Sequence, residues 1–210
     1  MTSLRSDPPA DHSADTSSSF LTELATYVGR VRQFRRHDWL VYVAWVATIA
    51  GLAVSTSAFV WIGAHHGARF PAEAYLVPIG AATFTIAIAI DTIGHRTVYR
   101  EVIRGGEQLV HHITIACGVA SVLLVVLAYG HPAAVIPGLV FTALSVIYSL
   151  IDEAFHWRRY VRAGADRVEM WSHVLIFIGH LTMIVAWWRW YDLGYAGVAE
   201  TLRAMGWGMG

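Results

Sequence analysis

Five stretches of the chain stay apolar over lengths that suit a membrane span, roughly 39–62, 72–94, 109–130, 133–155 and 170–190, and each reads as a transmembrane helix. The break between the third and fourth, YGHPAA, is so short that these two spans must form a tight hairpin. Ahead of the first span the pattern changes. Residues 18–37 place Phe20, Leu21, Leu24, Val28 and Val31 among Arg30, Arg32, Arg35 and Arg36, which suits an amphipathic or interfacial arm lying at a membrane surface. Residues 1–17 are polar and rich in Pro, Ser and Asp; they read as a disordered tail, not as a secretory signal. At the end of the fifth span, Trp187, Trp188, Trp190 and Tyr191 form an aromatic cluster of the kind that anchors a helix at the interface. Residues 192–210 follow as a tail with room for a short surface helix. The expected fold is all-α: a polytopic membrane protein of about five transmembrane helices, with its transmembrane domain over 38–191.

The polar residues that interrupt these spans are not scattered. Asp91/His95 and Glu107/His111 return about sixty residues later as Asp152/His156 and Glu169/His173, each carboxylate four residues ahead of its His. Ile90 matches Ile151 and Tyr99 matches Tyr160 at the same distance from the leading Asp, and the Arg-rich linkers differ by one residue. This is the signature of a duplicated helical hairpin, repeat one about 72–130 and repeat two about 133–190. On a helix, residues four apart share a face, so each pair presents two metal ligands in one direction. Carboxylate plus imidazole without thiolate suits non-haem iron, manganese or zinc, and a four-helix bundle with inward carboxylates and His is a usual scaffold for a two-metal site. The sequence thus predicts a metal-binding bundle with Asp91, His95, Glu107, His111, Asp152, His156, Glu169 and His173 as ligands, a carboxylate such as Glu107 or Glu169 bridging the ions. His112 and Glu153 sit beside ligand positions and point about 100° away. They, with His180 two turns beyond His173 and with Tyr99 and Tyr160, are alternates or groups supporting the ligands. The competing reading is a rim of solvated charges paired with loop arginines, which leaves the recurrence of His unexplained.

Composition sharpens the membrane assignment. The chain is 56% hydrophobic and 14% charged, with a mean hydropathy of +0.48, too apolar for an ordinary soluble domain. All 15 basic residues are Arg, and 12 of them (Arg5, Arg30, Arg32, Arg35, Arg36, Arg96, Arg100, Arg104, Arg158, Arg159, Arg162 and Arg167) fall on one side of the predicted spans. By the positive-inside rule the 96–106 and 157–167 linkers are cytoplasmic, the N-terminus is inside and the C-terminus outside, in a bacterial-type cell membrane. That orientation brings all four carboxylate/His pairs to one depth. The one cysteine, Cys117, lies in an apolar run, so the chain offers neither a disulfide framework nor a thiolate site.

The order Asp-x3-His then His, twice, on the spans of a membrane protein resembles the metal-bearing subunit of the copper membrane monooxygenases. The Asp152/Glu153/His156 run in LIDEAFH is similar to that family's Asn-Glu-x-x-His segment. The resemblance covers the two hairpins, and it implies a metal-dependent monooxygenase. The chain departs from the family in offering Glu107 and Glu169 near where the family has His, which favours iron over copper. In ligand chemistry it also resembles membrane di-iron hydroxylases and desaturases, without their His-x3-His and His-x2-His-His boxes.

The leading expectation is therefore a membrane-embedded non-haem oxidoreductase with two metal ions, iron first and copper or zinc as alternatives. It would be an O2-dependent hydroxylase, monooxygenase or desaturase of an apolar small molecule arriving from the lipid bilayer. The Arg loops could dock an acidic, ferredoxin-like electron donor, and nothing points to nucleic acid. A zinc-dependent membrane hydrolase or lyase, with metal-activated water, uses the same ligands. A non-enzymatic metal-binding or transport protein is weakened because the carboxylates cluster on one side and do not ladder across the bilayer. A haem b protein is weakened by the carboxylate beside every His.

Overall fold

Apolar side chains in long runs, with Thr and Ser hydroxyls returned to the carbonyl one turn back, let these segments close every backbone hydrogen bond within themselves. Thr48, Thr56, Thr83, Thr85, Thr92 and Thr114 all donate to the carbonyl four residues earlier at 2.7–3.0 Å. The computed structural model describes residues 19–99, 106–163 and 166–207, without the side chains of Tyr99, Glu107, Gln108 and Ala163. Within them the chain is all-α: α1 (Phe20–Gly29), α2 (Arg36–His65), α3 (Ala72–Gly94), α4 (Gly106–Leu127), α5 (Val135–Ala163), α6 (Arg167–Asp192) and a short α7 (Val198–Ala204). Five helical stretches, Arg36–His65, Ala72–Val98, Leu109–Leu127, Pro132–Arg162 and Arg167–Asp192, are long and apolar enough to cross a membrane. The protein is a polytopic all-α membrane protein.

The helices of the two repeats interleave. α3 packs most extensively on α6, and α4 on α5. A twofold axis that exchanges the hairpins α3/α4 and α5/α6 turns the first of these pairings into the second, so the packing itself carries the symmetry of the duplication. α2 lies outside α3 and packs on it and on α7. The α3/α6 contact is close because Gly80 and Gly179 face each other. A Cβ on Gly80 would stand 2.5 Å from the Met183 nitrogen, and one on Gly179 would stand 2.6 Å from the Phe84 nitrogen. Small residues at such crossings let backbones approach where lipid supplies no hydrophobic drive between helices.

Several sequence expectations change here. The linkers are shorter than 96–106 and 157–167: α3 continues through a π-helical turn, His95–Tyr99, and α5 runs to Ala163. The expected tail 1–17 and positions 100–105 lie outside the described residues. Trp187, Trp188 and Trp190 are 5, 9 and 4% exposed and belong to the core, not to an interfacial belt. Indole N–H bonds explain why two of them can be buried: Trp188 donates to Thr142 Oγ1 at 2.9 Å and Trp190 to the Ala196 carbonyl at 3.0 Å. The arm at 18–37 does not simply lie on a surface. Tyr27, 1% exposed, plugs the end of the bundle between Ile93 and Val168. Ion pairs hold the arm there, Arg30 to Asp166 at 2.8 Å and Arg167 to Glu23 at 2.8 Å.

Replacing Gly179 by Leu should force α3 and α6 apart and lower the free energy of unfolding by about 1–3 kcal/mol, as overpacking does. Gly51, with open space around its Cα, should accept Ala without loss. Equilibrium unfolding of the two variants in detergent checks both.

Candidate metal centre

Asp91, His95, His111, Asp152, His156, Glu169 and His173 lie together where α3, α4, α5 and α6 converge at one end of the bundle. Asp91 sits between two histidines from different repeats: its Oδ2 is 3.4 Å from His95 Nε2 on its own helix, and its Oδ1 is 3.0 Å from His173 Nε2 on α6. Asp152 repeats the arrangement, with Oδ2 3.3 Å from His111 Nδ1 on α4 and Oδ1 4.0 Å from His156 Nε2 on its own helix. Two half-sites result, each one Asp and two His, related by the same exchange as the helix packing. They interpenetrate. His95, His156 and His173 each offer a nitrogen within 4.8 Å of the others, and the rings of His156 and His173 stack at 3.5 Å between centroids. His95 is 5.4 Å from His111 and 6.1 Å from His156, centroid to centroid.

Behind the histidines stand two more carboxylates. Glu153 Oε1 is 3.3 Å from His173 Nδ1, and Glu169 Oε1 is 3.4 Å from His156 Nδ1. A carboxylate on the far nitrogen fixes the tautomer and orientation of an imidazole and raises its basicity, the usual support for a metal-bound His. Glu169, expected to bridge two ions, is therefore placed behind His156 and not between the histidines. The spacing read Glu169 and His173 as one face of α6, which is correct; the packing of α5 against α6 decides which neighbour each one meets. Arg159, one turn after His156, reaches Glu169 at 3.3 Å. The sequence marks Arg159 only as a charge at the membrane edge, and the signal that could have placed it at the site is its i+3 distance from His156.

The remaining predicted residues fall as follows. The side chains of Glu107 and Tyr99 lie outside the described residues. His112 is exposed beside His111, their rings 6.5 Å apart. Tyr160 packs beside Trp157, with 6.1 Å between ring centroids, on the periphery of the bundle. His180 lines a cleft that starts at the cluster.

Two observations test whether a metal fits. Asp152 Oδ1 is enclosed and makes no hydrogen bond, and the enclosed His173 Nε2 has Asp91 Oδ1 as its 3.0 Å neighbour. Arg159 reaches Glu169, and imidazoles face Asp91, Asp152, Glu153 and Glu169. Imidazolium or a bound cation would offset the charge that burial penalises here. The donor set, hard carboxylate oxygen with imidazole nitrogen, suits a divalent transition metal. A cleft of about 720 Å³ leads away from the cluster between α2 and α4. Val41, Trp45, Ile49, Ile88, Ile115 and Val122 contribute to its apolar walls, and Asp91, His95, His111, Asp152 and His173 close its end.

No known protein family, curated protein or solved structure gives a match to this chain.

Asp91→Leu removes the shared partner of His95 and His173 and should reduce the unfolding free energy of metal-free protein by roughly 3 kcal/mol or more, as breaking a buried ionic network does. Asp192→Leu, at an exposed pair with Arg189 of 3.8 Å, should leave it nearly unchanged. Denaturation in detergent after chelation compares them.

Proposed function

We propose that the protein is a membrane-embedded non-haem metal oxidoreductase that hydroxylates or desaturates an apolar substrate at a two-metal centre. The observation that carries this reading is the pair of half-sites, Asp91 with His95 and His173, and Asp152 with His156 and His111. Two histidines and one carboxylate are the donor set that non-haem iron oxygenases use, with open positions left for co-substrate. Bound iron would supply the dioxygen chemistry. The chain's own residues do the rest. Asp91 and Asp152 bring hard oxygen donors between the repeats, Glu153 and Glu169 hold protons on the outer nitrogens of His173 and His156, and Arg159 offsets the Glu169 charge. The apolar cleft admits a hydrocarbon to the open side of the cluster and keeps bulk water from it. Electrons would come from an acidic, ferredoxin-like protein docking at the arginine-rich end. The resemblance to the metal-bearing subunit of the copper membrane monooxygenases points to the same reaction class with a different metal.

We further propose that this end faces the cytoplasm, with the C-terminus outside, because 12 of 15 arginines then lie inside. A cysteine placed at Arg162 should resist an impermeant thiol reagent in intact cells, and one at Arg69 should react. The reverse pattern overturns the orientation.

Metal analysis of protein purified without added metal should find about two iron ions per chain, the number a paired-ion centre needs. Zinc in that amount would instead favour a hydrolase, and copper the chemistry of the resembled family. Replacing His95, His111, His156 or His173 by Ala should each lower the iron content, whereas His112→Ala should have little effect. Glu153→Gln and Glu169→Gln should weaken metal affinity about 10–100-fold while leaving the helices folded. Iron content unchanged in all four His variants would leave the cluster as a structural polar network.

A further inference from the structure

His180 is the one buried histidine of α6 that the metal centre does not use. It stands seven residues beyond His173, two turns and about 10 Å further along the helix. It is 6% exposed, and its Nε2 is enclosed without a hydrogen-bond partner. The histidines of the cluster each have a carboxylate within 3.4 Å, whereas the surroundings of His180 are apolar, with the Phe84 ring 5.9 Å away and Met183 and Ile176 beside it on the cleft wall. Leaving a polar nitrogen unmatched at this depth is costly, so such a group is expected to have a partner when the protein works.

The cleft supplies the place for that partner. It follows α2 from Val41 to Leu52 and α4 from His111 to Leu123, a length of about 16 Å at the helical rise, and both His180 and the cluster line it. We infer that the cleft binds a linear, uncharged hydrocarbon bearing one hydroxyl or carbonyl group, which hydrogen-bonds to His180 Nε2 and leaves an in-chain carbon at the metal centre. An imidazole can donate or accept through that nitrogen according to tautomer, so either group is matched. A carboxylate or ammonium headgroup is disfavoured, because among the described residues no countercharge lies beside His180 and an unpaired ion in this wall would be poorly solvated. The separation sets the geometry of attack. A zigzag chain of about nine carbons spans about 10 Å at carbon–carbon bonds near 1.5 Å, so the carbon presented to the cluster lies well away from the polar group.

This assignment rests on the proposed function only for what happens at the cluster end. Its test is a binding measurement that needs no metal. Tritiated 1-decanol is bound to purified protein in detergent and read by scintillation proximity, with unlabelled 1-decanol, decane and decanoate as competitors. The alcohol should displace the label at least about tenfold more effectively than decane, since a site built to pair a hydroxyl rejects the analogue that lacks it. His180→Leu should weaken alcohol binding and abolish the preference. His180→Gln, which can still donate and accept, should retain most of both. Decane competing as well as 1-decanol against the unaltered protein overturns the inference whatever the variants do, and decanoate competing best overturns the choice of an uncharged group. Alcohol selectivity in a protein that holds no iron would keep this inference and remove the oxidoreductase; iron without selectivity would do the reverse.

Discussion

The crossed pairing of aspartate and histidine between the repeats is the interaction on which the rest of the molecule depends. His173 of the second repeat meets Asp91 of the first at 3.0 Å, and His111 of the first meets Asp152 of the second at 3.3 Å. Neither repeat could satisfy its own aspartate in this way, because the partner histidine comes from the other hairpin. In an apolar surrounding, charged and hydrogen-bonding groups left without partners are expensive, so these contacts favour the one arrangement in which α3 lies against α6 and α4 against α5. Gly80 and Gly179 make that arrangement sterically accessible by letting α3 and α6 approach closely. Polar specificity and close packing thus select the same topology.

The symmetry is also broken in an informative way. Glu153 follows Asp152 and reaches the outer nitrogen of His173, whereas the corresponding position in the first repeat is Thr92, whose hydroxyl is spent on the Ile88 carbonyl at 2.7 Å. A π-helical turn begins at His95 in the first repeat, while α5 continues as a regular helix past His156. A π-turn in a helix commonly marks a functional position, since the extra residue shifts the side chains beyond it around the axis. Duplication explains why the Asp/His pairs match, and these differences make the surroundings of the two halves unequal.

Much of this was legible in the chain. Five apolar spans follow from length and composition, and the i,i+4 pairing of Asp91 with His95 and Asp152 with His156 follows from helical geometry alone. The topology argued from arginine placement also put the pairs at one depth. What spacing cannot give is the rotation of each helix relative to its neighbours. Periodicity placed Glu153 about 100° from the ligand face and Glu169 upon it, yet both end behind a histidine, because that role is set by the α5/α6 contact. The same holds for Trp187, Trp188 and Trp190: an aromatic run at the end of a span has the composition of an interfacial belt, and only the partners Thr142 and Ala196 make it part of the core. The 18–37 arm was legible as amphipathic, but nothing local says that Tyr27 turns inward.

The cleft between α2 and α4 separates two spans that pack on different neighbours, α2 on α3 and α7, α4 on α5. A ligand that reached the cleft from between these two spans would come from among acyl chains, and its solvent would be the bilayer itself. The concentration that governs occupancy is then a mole fraction in lipid, fixed by partitioning. Diluting the membrane with more lipid at constant total ligand would lower occupancy, while diluting the surrounding buffer would scarcely change it for a strongly partitioned molecule. Saturation curves for a ligand taken up in this way would have a meaningful horizontal axis only when it is expressed per lipid.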